Sequence, residues 1–107
     1  MDLSDIVFHD LPVTRVDFQI ADATIVIGCL LYDEVGKGHI ATTISFREIS
    51  ALQFEAMTEA PDEWDIEICT AQMTNQGDKE HISLTFLLGL GKPSWQLEFD
   101  YKTVTIT

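Results

Sequence analysis

Hydrophobic and polar residues alternate along most of the chain with a period of two, the spacing of a β-strand that buries one face. The alternation covers residues 13–20, 39–46, 64–69, 82–88 and 95–101. Residues 23–32 are instead apolar on both faces, which is typical of a central strand that is covered on both sides. These runs predict most of the strands of a β-protein.

Turn-forming residues separate the runs. Asp22 predicts a tight hairpin, residues 33–38 contain two glycines and predict a loop, and residues 73–80 predict a polar turn. After the last run the apolar positions change parity to Val104 and Ile106. An extra residue would restore the facing, so we predict a β-bulge or bend near Lys102 or Thr103.

Residues 47–57 fit two patterns. Ile49, Leu52 and Ala56 have helical spacing, whereas Leu52, Phe54 and Ala56 alternate as they would in a strand. We favour a bend at residues 48–50 followed by a strand that starts near Ala51. A short helix over residues 4–9 or 48–52 would cap one end of the sheet.

The residue types support the same fold class. Ile, Val and Thr make up 28 of the 107 residues, and such β-branched side chains favour strands. The short connections leave no room for the crossovers that parallel strands need. We therefore predict a mainly β protein with an antiparallel meander of about seven strands, curled into a half-barrel or a small sandwich. The length fits a single domain over residues 1–107, and no internal repeat is visible.

The charge excludes several classes of partner. Eighteen acidic and six basic residues give a net charge of −12. A nucleic-acid-binding protein needs a basic face, and an anionic membrane would repel this chain. The N-terminal residues are acidic rather than basic, and the longest apolar run is about seven residues where a membrane span needs about twenty. We expect a cytoplasmic protein.

The chain lacks a motif for catalysis or metal binding. None of the three histidines has a metal-spaced partner, and no nucleophile motif is present. His9 and Asp10 are adjacent, so their side chains should point apart in an extended chain. Cys29 and Cys69 lie in apolar runs and fit two buried thiols. We predict that the protein is not an enzyme and holds no metal and no cofactor.

Acidic residues concentrate in the middle of the chain. The stretch from Glu48 to Asp78 contains eight acids and no Lys or Arg. This stretch fits a merely solvated face, but like charges at such density repel, so it also fits a surface that a cationic partner neutralises. Glu98 and Asp100 would join this surface if the last long strand lies beside residues 64–69. The predicted partner-binding residues are Asp33, Glu34, Asp62, Glu63, Trp64, Asp65, Glu67, Glu98 and Asp100.

Two local motifs carry a family resemblance. Phe8-His9-Asp10 precedes the first strand, and Ile44-Ser45-Phe46-Arg47-Glu48-Ile49-Ser50-Ala51-Leu52 forms a strand-Phe-bend-Leu run. With its length and acidity, the chain resembles the small acidic immunity proteins of bacterial contact-dependent and polymorphic toxin systems. The resemblance implies a cytoplasmic antitoxin that binds one cognate toxin domain, often a basic nuclease, and blocks its active site. It assigns no functional residue.

The main functional hypothesis is therefore an immunity protein that neutralises a basic toxin domain through an acidic face. One alternative is a small-ligand-binding, barrel-like domain whose lining includes Trp95, Phe99 and Tyr101. Another is an enzyme, which requires that His9, His39 or His81 meet a carboxylate in a cleft.

Overall fold

The computed structural model describes residues 2–56, 66–88 and 93–107 of the chain. Two 3-10 helices cover Leu3–Asp5 and Ile20–Asp22. The strands are β1 (Leu11–Gln19), β2 (Thr24–Asp33), β3 (Gly38–Arg47), β4 (Ser50–Ala56), β5 (Ile66–Gln76), β6 (Lys79–Leu88), β7 (Pro93–Tyr101) and β8 (Thr103–Ile106). The prediction of a mainly β protein is confirmed.

The sequence pattern located the strands well but misjudged some of their ends. Residues 25–29 of β2 are all buried, as expected of a covered strand, whereas Tyr32 near its end is 61% exposed. The polar turn predicted over residues 73–80 is narrower, because β5 continues to Gln76 and β6 begins at Lys79. Gly77 supplies the positive φ of 79° that this tight turn requires.

The ambiguous segment between β3 and β4 is a bend followed by a strand, so the helical interpretation of residues 48–52 is wrong. Glu48 and Ala51 have φ angles of 57° and 53°, which are incompatible with a right-handed helix. The short helix expected over residues 4–9 is only the 3-10 turn Leu3–Asp5. The predicted bend near Lys102 is confirmed, since it separates β7 from β8.

The strands form one antiparallel sheet in the order β4-β7-β6-β5-β1-β2-β3-β8. We call β1, β2, β3 and β8 half A, and β5, β6, β7 and β4 half B. Each half contains a three-stranded meander, and its fourth strand comes from the other part of the chain. β3 continues into β4 and β7 continues into β8, so both strands cross between the halves at a bend, as strands do at the corner of a folded sheet. Among the described strands the sheet is not closed into a barrel, because β4 and β8 at its two ends do not pair with each other.

The two halves are related by an approximate two-fold axis. Strands β1, β2, β3 and β4 correspond to β5, β6, β7 and β8, respectively. Exchanging each strand with its counterpart gives the same strand order in reverse. The axis passes near the pair Pro12–Glu67, because the neighbouring pairs Leu11–Ile68 and Val13–Ile66 exchange with each other. Both β1 and β5 also have a register shift just after this point. The structure thus contains a repeat that the sequence does not show.

One hydrophobic core lies between the halves. Ile25 and Ile27 of half A face it from one side, and Ile82 and Leu84 of half B from the other; all are at most 2% exposed. The Phe46 ring contacts those of Phe99 and Tyr101, with both pairs of centroids 5.0 Å apart. No helix in the described part of the chain is long and apolar enough to cross a membrane.

Candidate functional site

A groove of about 620 Å³ lies between the segment that precedes β1 and the tip of the β2–β3 hairpin. We call it the tip groove. Four carboxylates and two imidazoles line it, together with apolar residues from both segments. The charged and titratable lining residues are Asp5, His9, Asp10, Asp33, Glu34 and His39.

Local backbone structure positions these acids. The Asp5 carboxylate accepts the backbone N–H of Asp2 at 2.9 Å at the 3-10 helix. Asp33 accepts the N–H of Val35 at 3.1 Å, an Asx turn at the hairpin tip. Asp10 has a φ of 61°, which aspartate tolerates better than most residues.

The positive φ of Asp10 corrects one prediction from the sequence. His9 and Asp10 were expected to point apart in an extended chain, but their side chains meet, with Nε2 of His9 3.3 Å from the Asp10 carboxylate. The chain turns here before β1 begins, so the period of a strand does not apply. Both side chains remain open to solvent, at 72% and 64% exposed.

Apolar side chains lie among the acids of the tip groove. Val7, Tyr32 and Ile40 are 76%, 61% and 54% exposed. The Tyr32 ring packs edge-to-face against His39, with the ring centroids 5.7 Å apart. Neither Lys nor Arg is among the residues that line the groove. The groove therefore combines negative charge with an exposed aromatic ring, which suits a cationic side chain.

A second group of acids lies on the outward face of half B. Glu98 and Asp100 of β7 point away from the core, since Leu97 and Phe99, which alternate with them along the strand, are fully buried. Glu55 of β4 joins Glu98 in a surface hollow of about 410 Å³, and we call this area the β7 face. Lys79 lies at its end and donates a hydrogen bond to Ser50 at 2.9 Å.

His81 is held on the β7 face by two carboxylates. Its Nδ1 lies 2.6 Å from Asp100, and its Nε2 lies 3.8 Å from Glu98. Beside it, Gln96 accepts a hydrogen bond from Thr85 and donates one to Ser83. The polar side chains of this face therefore form two groups, one around His81 and one around Gln96.

The predicted partner-binding residues fall into separate places. Asp33 and Glu34 line the tip groove, and Glu67 of β5 pairs with Pro12, another residue of that groove. Glu98 and Asp100 lie on the β7 face. Strand β6 separates β7 from β5, so the pairing that would have joined them to residues 64–69 does not occur. The remaining predicted residues, Asp62, Glu63, Trp64 and Asp65, lie outside the described residues.

Asp5, Asp10 and Tyr32 line the groove but were not among the residues predicted to form a site. The only signal for Asp10 and Tyr32 was their position near the start or end of a predicted strand, and Asp5 carried no signal. One continuous acidic surface was expected, whereas the described acids that were predicted to bind a partner lie in two places, with Glu67 between them. Contact between distant strand ends is not readable from local spacing.

The histidines and Cys29 have distinct surroundings, whereas the side chain of Cys69, also predicted to be buried, lies outside the described ones. His9 and His39 share the tip groove, and His81 lies on the other half. Within the described ranges, no group of three or more His, Cys, Asp or Glu residues is arranged to hold a metal ion. Cys29 is a buried free thiol, as predicted, and burial raises its pKa, which makes it a weak nucleophile.

The alternative of a ligand cavity around Trp95, Phe99 and Tyr101 finds little support. Phe99 is fully buried and Tyr101 is 5% exposed, and both pack tightly against Phe46. The tip groove and the hollow on the β7 face are lined by other residues. These aromatic side chains therefore contribute to the core.

Comparisons with known proteins bear on the fold. No protein-family model matches the chain, and no curated protein matches its sequence. The solved structure of an uncharacterized protein from Neisseria gonorrhoeae is similar, with a TM-score of 0.54 and 11% sequence identity. The match covers 94% of this chain and 92% of the other. At this identity, the likeness concerns the fold alone.

Proposed function

We propose that the protein is an immunity protein that binds and neutralises a cognate basic toxin domain, and that the tip groove is its main contact. The observation that carries the proposal is the lining of the groove: four carboxylates surround exposed apolar side chains, without a Lys or Arg among the lining residues. Such a surface attracts a cationic protein.

The groove has the composition of a protein-binding site. Interfaces are enriched in tyrosine, and a few central side chains usually supply most of the binding energy. Tyr32 is 61% exposed and offers its ring to an Arg or Lys of the partner. Asp33 and Glu34 beside it would pair with further cations. A nuclease that holds phosphates with basic residues presents the complementary charge.

Binding explains the groove better than catalysis does. Catalytic groups act most effectively where water is excluded, because electrostatic interactions are stronger there. His9 and Asp10 are instead 72% and 64% exposed. At a protein interface, by contrast, the partner itself excludes the water. We therefore propose a non-enzymatic inhibitor without a cofactor, acting in the cytoplasm.

The test uses, as the candidate partner, the toxin domain encoded by a gene that neighbours this one. Co-expression with that domain should restore bacterial growth, and titration calorimetry at low salt should show a complex of the two proteins. The double variant Asp33→Asn with Glu34→Gln should weaken the complex by about tenfold or more, because it removes two charges but keeps the hydrogen-bonding groups. Added salt should reduce the affinity of the natural protein more than that of the variant.

The matched control is the double variant Glu55→Gln with Glu98→Gln on the β7 face. It removes the same charge at a different place, so its affinity should change by less than about threefold. An absence of binding at low salt, or equal losses in both double variants, would refute the assignment of the tip groove.

A further inference from the structure

Strand β4 is an edge strand in the part of the sheet that the structure describes. It lies at one end of the sheet order, and among the described strands it pairs only with β7. The end of β1 also approaches this edge, and among the described residues the ladder between β1 and β5 covers Leu11–Val13. A free edge presents backbone N–H and C=O groups that an extended segment of another protein can pair with.

An apolar cleft accompanies this edge. A depression of about 210 Å³ separates β4 from the end of β1, and Phe18, Ile20 and Leu52 are among its lining residues. Phe18 also contacts Phe54, with ring centroids 5.8 Å apart. Ile20 is 85% exposed, and Phe18, Leu52 and Phe54 are between 39% and 44% exposed. Large apolar side chains grouped at the surface are typical of an interaction site.

The opposite side of the same strand is acidic. Gln53 and Glu55 alternate with Leu52 and Phe54, and they pair with Glu98 and Gln96 of β7. The resulting hollow of about 410 Å³ contains the carboxylates of Glu55 and Glu98. A strand added to β4 would therefore place its successive side chains alternately beside apolar residues and beside carboxylates.

We infer that the β4 edge binds an extended basic segment of a partner protein by strand addition. The segment would alternate apolar and basic side chains, the apolar ones filling the cleft beside Phe18 and the basic ones pairing with Glu55 and Glu98. A second copy of this chain fits less well, because each copy has a net charge of −12 and would bring further carboxylates to the edge. This site is separate from the tip groove.

The approximate two-fold axis supplies a matched control surface. Met73 of β5 corresponds to Phe18 of β1, and the two are 42% and 39% exposed. The corresponding edge strand is β8, with the sequence TVTI, which contains no acidic residue. The inference therefore applies to the β4 edge and not to its counterpart.

The experiment uses a short synthetic peptide of alternating lysine and valine, labelled for fluorescence anisotropy. A peptide of the same composition in two blocks tests the alternation, and an N-methylated version tests the backbone pairing. We expect the alternating peptide to bind at low salt. The affinities of the block peptide and of the N-methylated peptide should be lower by at least about tenfold. In NMR spectra of the protein, the amide chemical shifts that change when the alternating peptide is added should belong to residues of β4 and of the end of β1.

Variants locate the site. Phe18→Ser should weaken binding of the alternating peptide by about tenfold, whereas Met73→Ser should change it by less than about twofold. The pair Glu55→Gln and Glu98→Gln should reduce the dependence on salt. The tip-groove variant Asp33→Asn with Glu34→Gln should bind the peptide normally, so a failure here is distinct from a failure of the proposed function.

Three outcomes would overturn the inference. One is equal loss of affinity in Phe18→Ser and Met73→Ser, each shown to be folded by circular dichroism. Another is binding that N-methylation does not change, since strand addition depends on the backbone. The last is a dimer of the protein in solution that Phe18→Ser dissociates and that excludes the peptide, because a second copy would then be the occupant.

Discussion

Halves A and B share a backbone plan but differ on their outward faces. Inside, both present aliphatic side chains and a buried phenylalanine to the same core. Outside, half A carries an exposed ion pair between Arg15 and Asp17 at 3.2 Å, whereas half B carries Glu98, Asp100 and His81. The comparison shows that the fold constrains the inward positions alone, and that the outward positions are where binding specificity can diverge.

The largest expected effect on stability shows whether the two halves contribute equally to the core that they share. Phe46 and Phe99 are both fully buried and occupy corresponding places, opposite Ile25 and Ile82. Phe46→Ala and Phe99→Ala should each lower the free energy of unfolding by about 3–5 kcal/mol, measured by urea denaturation. If either variant fails to fold, the milder Phe→Leu changes make the same comparison. A difference between the positions of more than about 2 kcal/mol would show that the core relies on one half.

A smaller effect on stability is expected at the bulge of β1, which corresponds to the bulge of β5. Gly28 faces Arg15 across the β1 bulge, and Thr85 faces Thr70 at the corresponding place in half B. A Cβ atom at Gly28 would lie 2.7 Å from the Thr14 hydroxyl. Gly28→Ala should therefore cost about 1–2 kcal/mol of stability in thermal or urea unfolding.

The Gly28 prediction has an internal check. Adding Thr14→Ala removes the hydroxyl that the new Cβ would meet, so the double variant should recover most of the lost stability. If the single variant is as stable as the natural protein, half A tolerates a side chain there just as half B does.

The polar networks of the outward faces differ in burial. The side chains of His81 and Asp100 are 24% and 20% exposed, whereas the hydrogen bond from Arg47 to Thr105 lies at an exposed position. Asp100→Asn should lower the free energy of unfolding by about 1 kcal/mol, and Arg47→Gln by roughly 0–0.5 kcal/mol. Chemical denaturation of both variants checks this order. The reverse order would mean that half A depends more on its outward face.

The smallest effect concerns Tyr101, where half B joins the bend into β8. Burial, and then the carboxylate of Glu80, raise the pKa of Tyr101. The folded state thus holds the phenolic proton more tightly than the unfolded chain does, so stability should fall as the pH rises through the ordinary tyrosine pKa near 10. Tyr101→Phe should reduce this alkaline loss, measured as the thermal midpoint against pH. An unchanged pH dependence would assign the loss to other groups.

Much of the local structure was predictable because it depends on neighbouring residues. The alternation of Leu97 and Phe99 with Glu98 and Asp100 identified the buried and outward faces of β7 correctly. The change of parity after Tyr101 located the bend before β8. By contrast, the positive φ angles of Asp10 and Glu48 left no trace in hydrophobic periodicity, so the contact between His9 and Asp10 was not foreseen.

The candidate site was predictable only in part. Asp33 and Glu34 were expected to bind a partner, and they do lie in an acidic groove. Their neighbours there, Asp5 and Asp10, come from a segment more than twenty residues away in the sequence. The position of β4 at the edge of the described sheet was equally hidden, because the sequence pattern shows that a strand exists but not how many neighbours it has.

By itself, the order of residues determined where the strands run and which side chains turn inward, since alternation with a period of two acts within each strand. Only the tertiary structure decided that β4 and β8 exchange between the halves, and that Asp33 and Glu34 line the tip groove whereas Glu98 and Asp100 lie on the β7 face. Strand order depends on contacts between segments far apart in the chain, and these are selected by the packing of the whole core rather than by any local pattern.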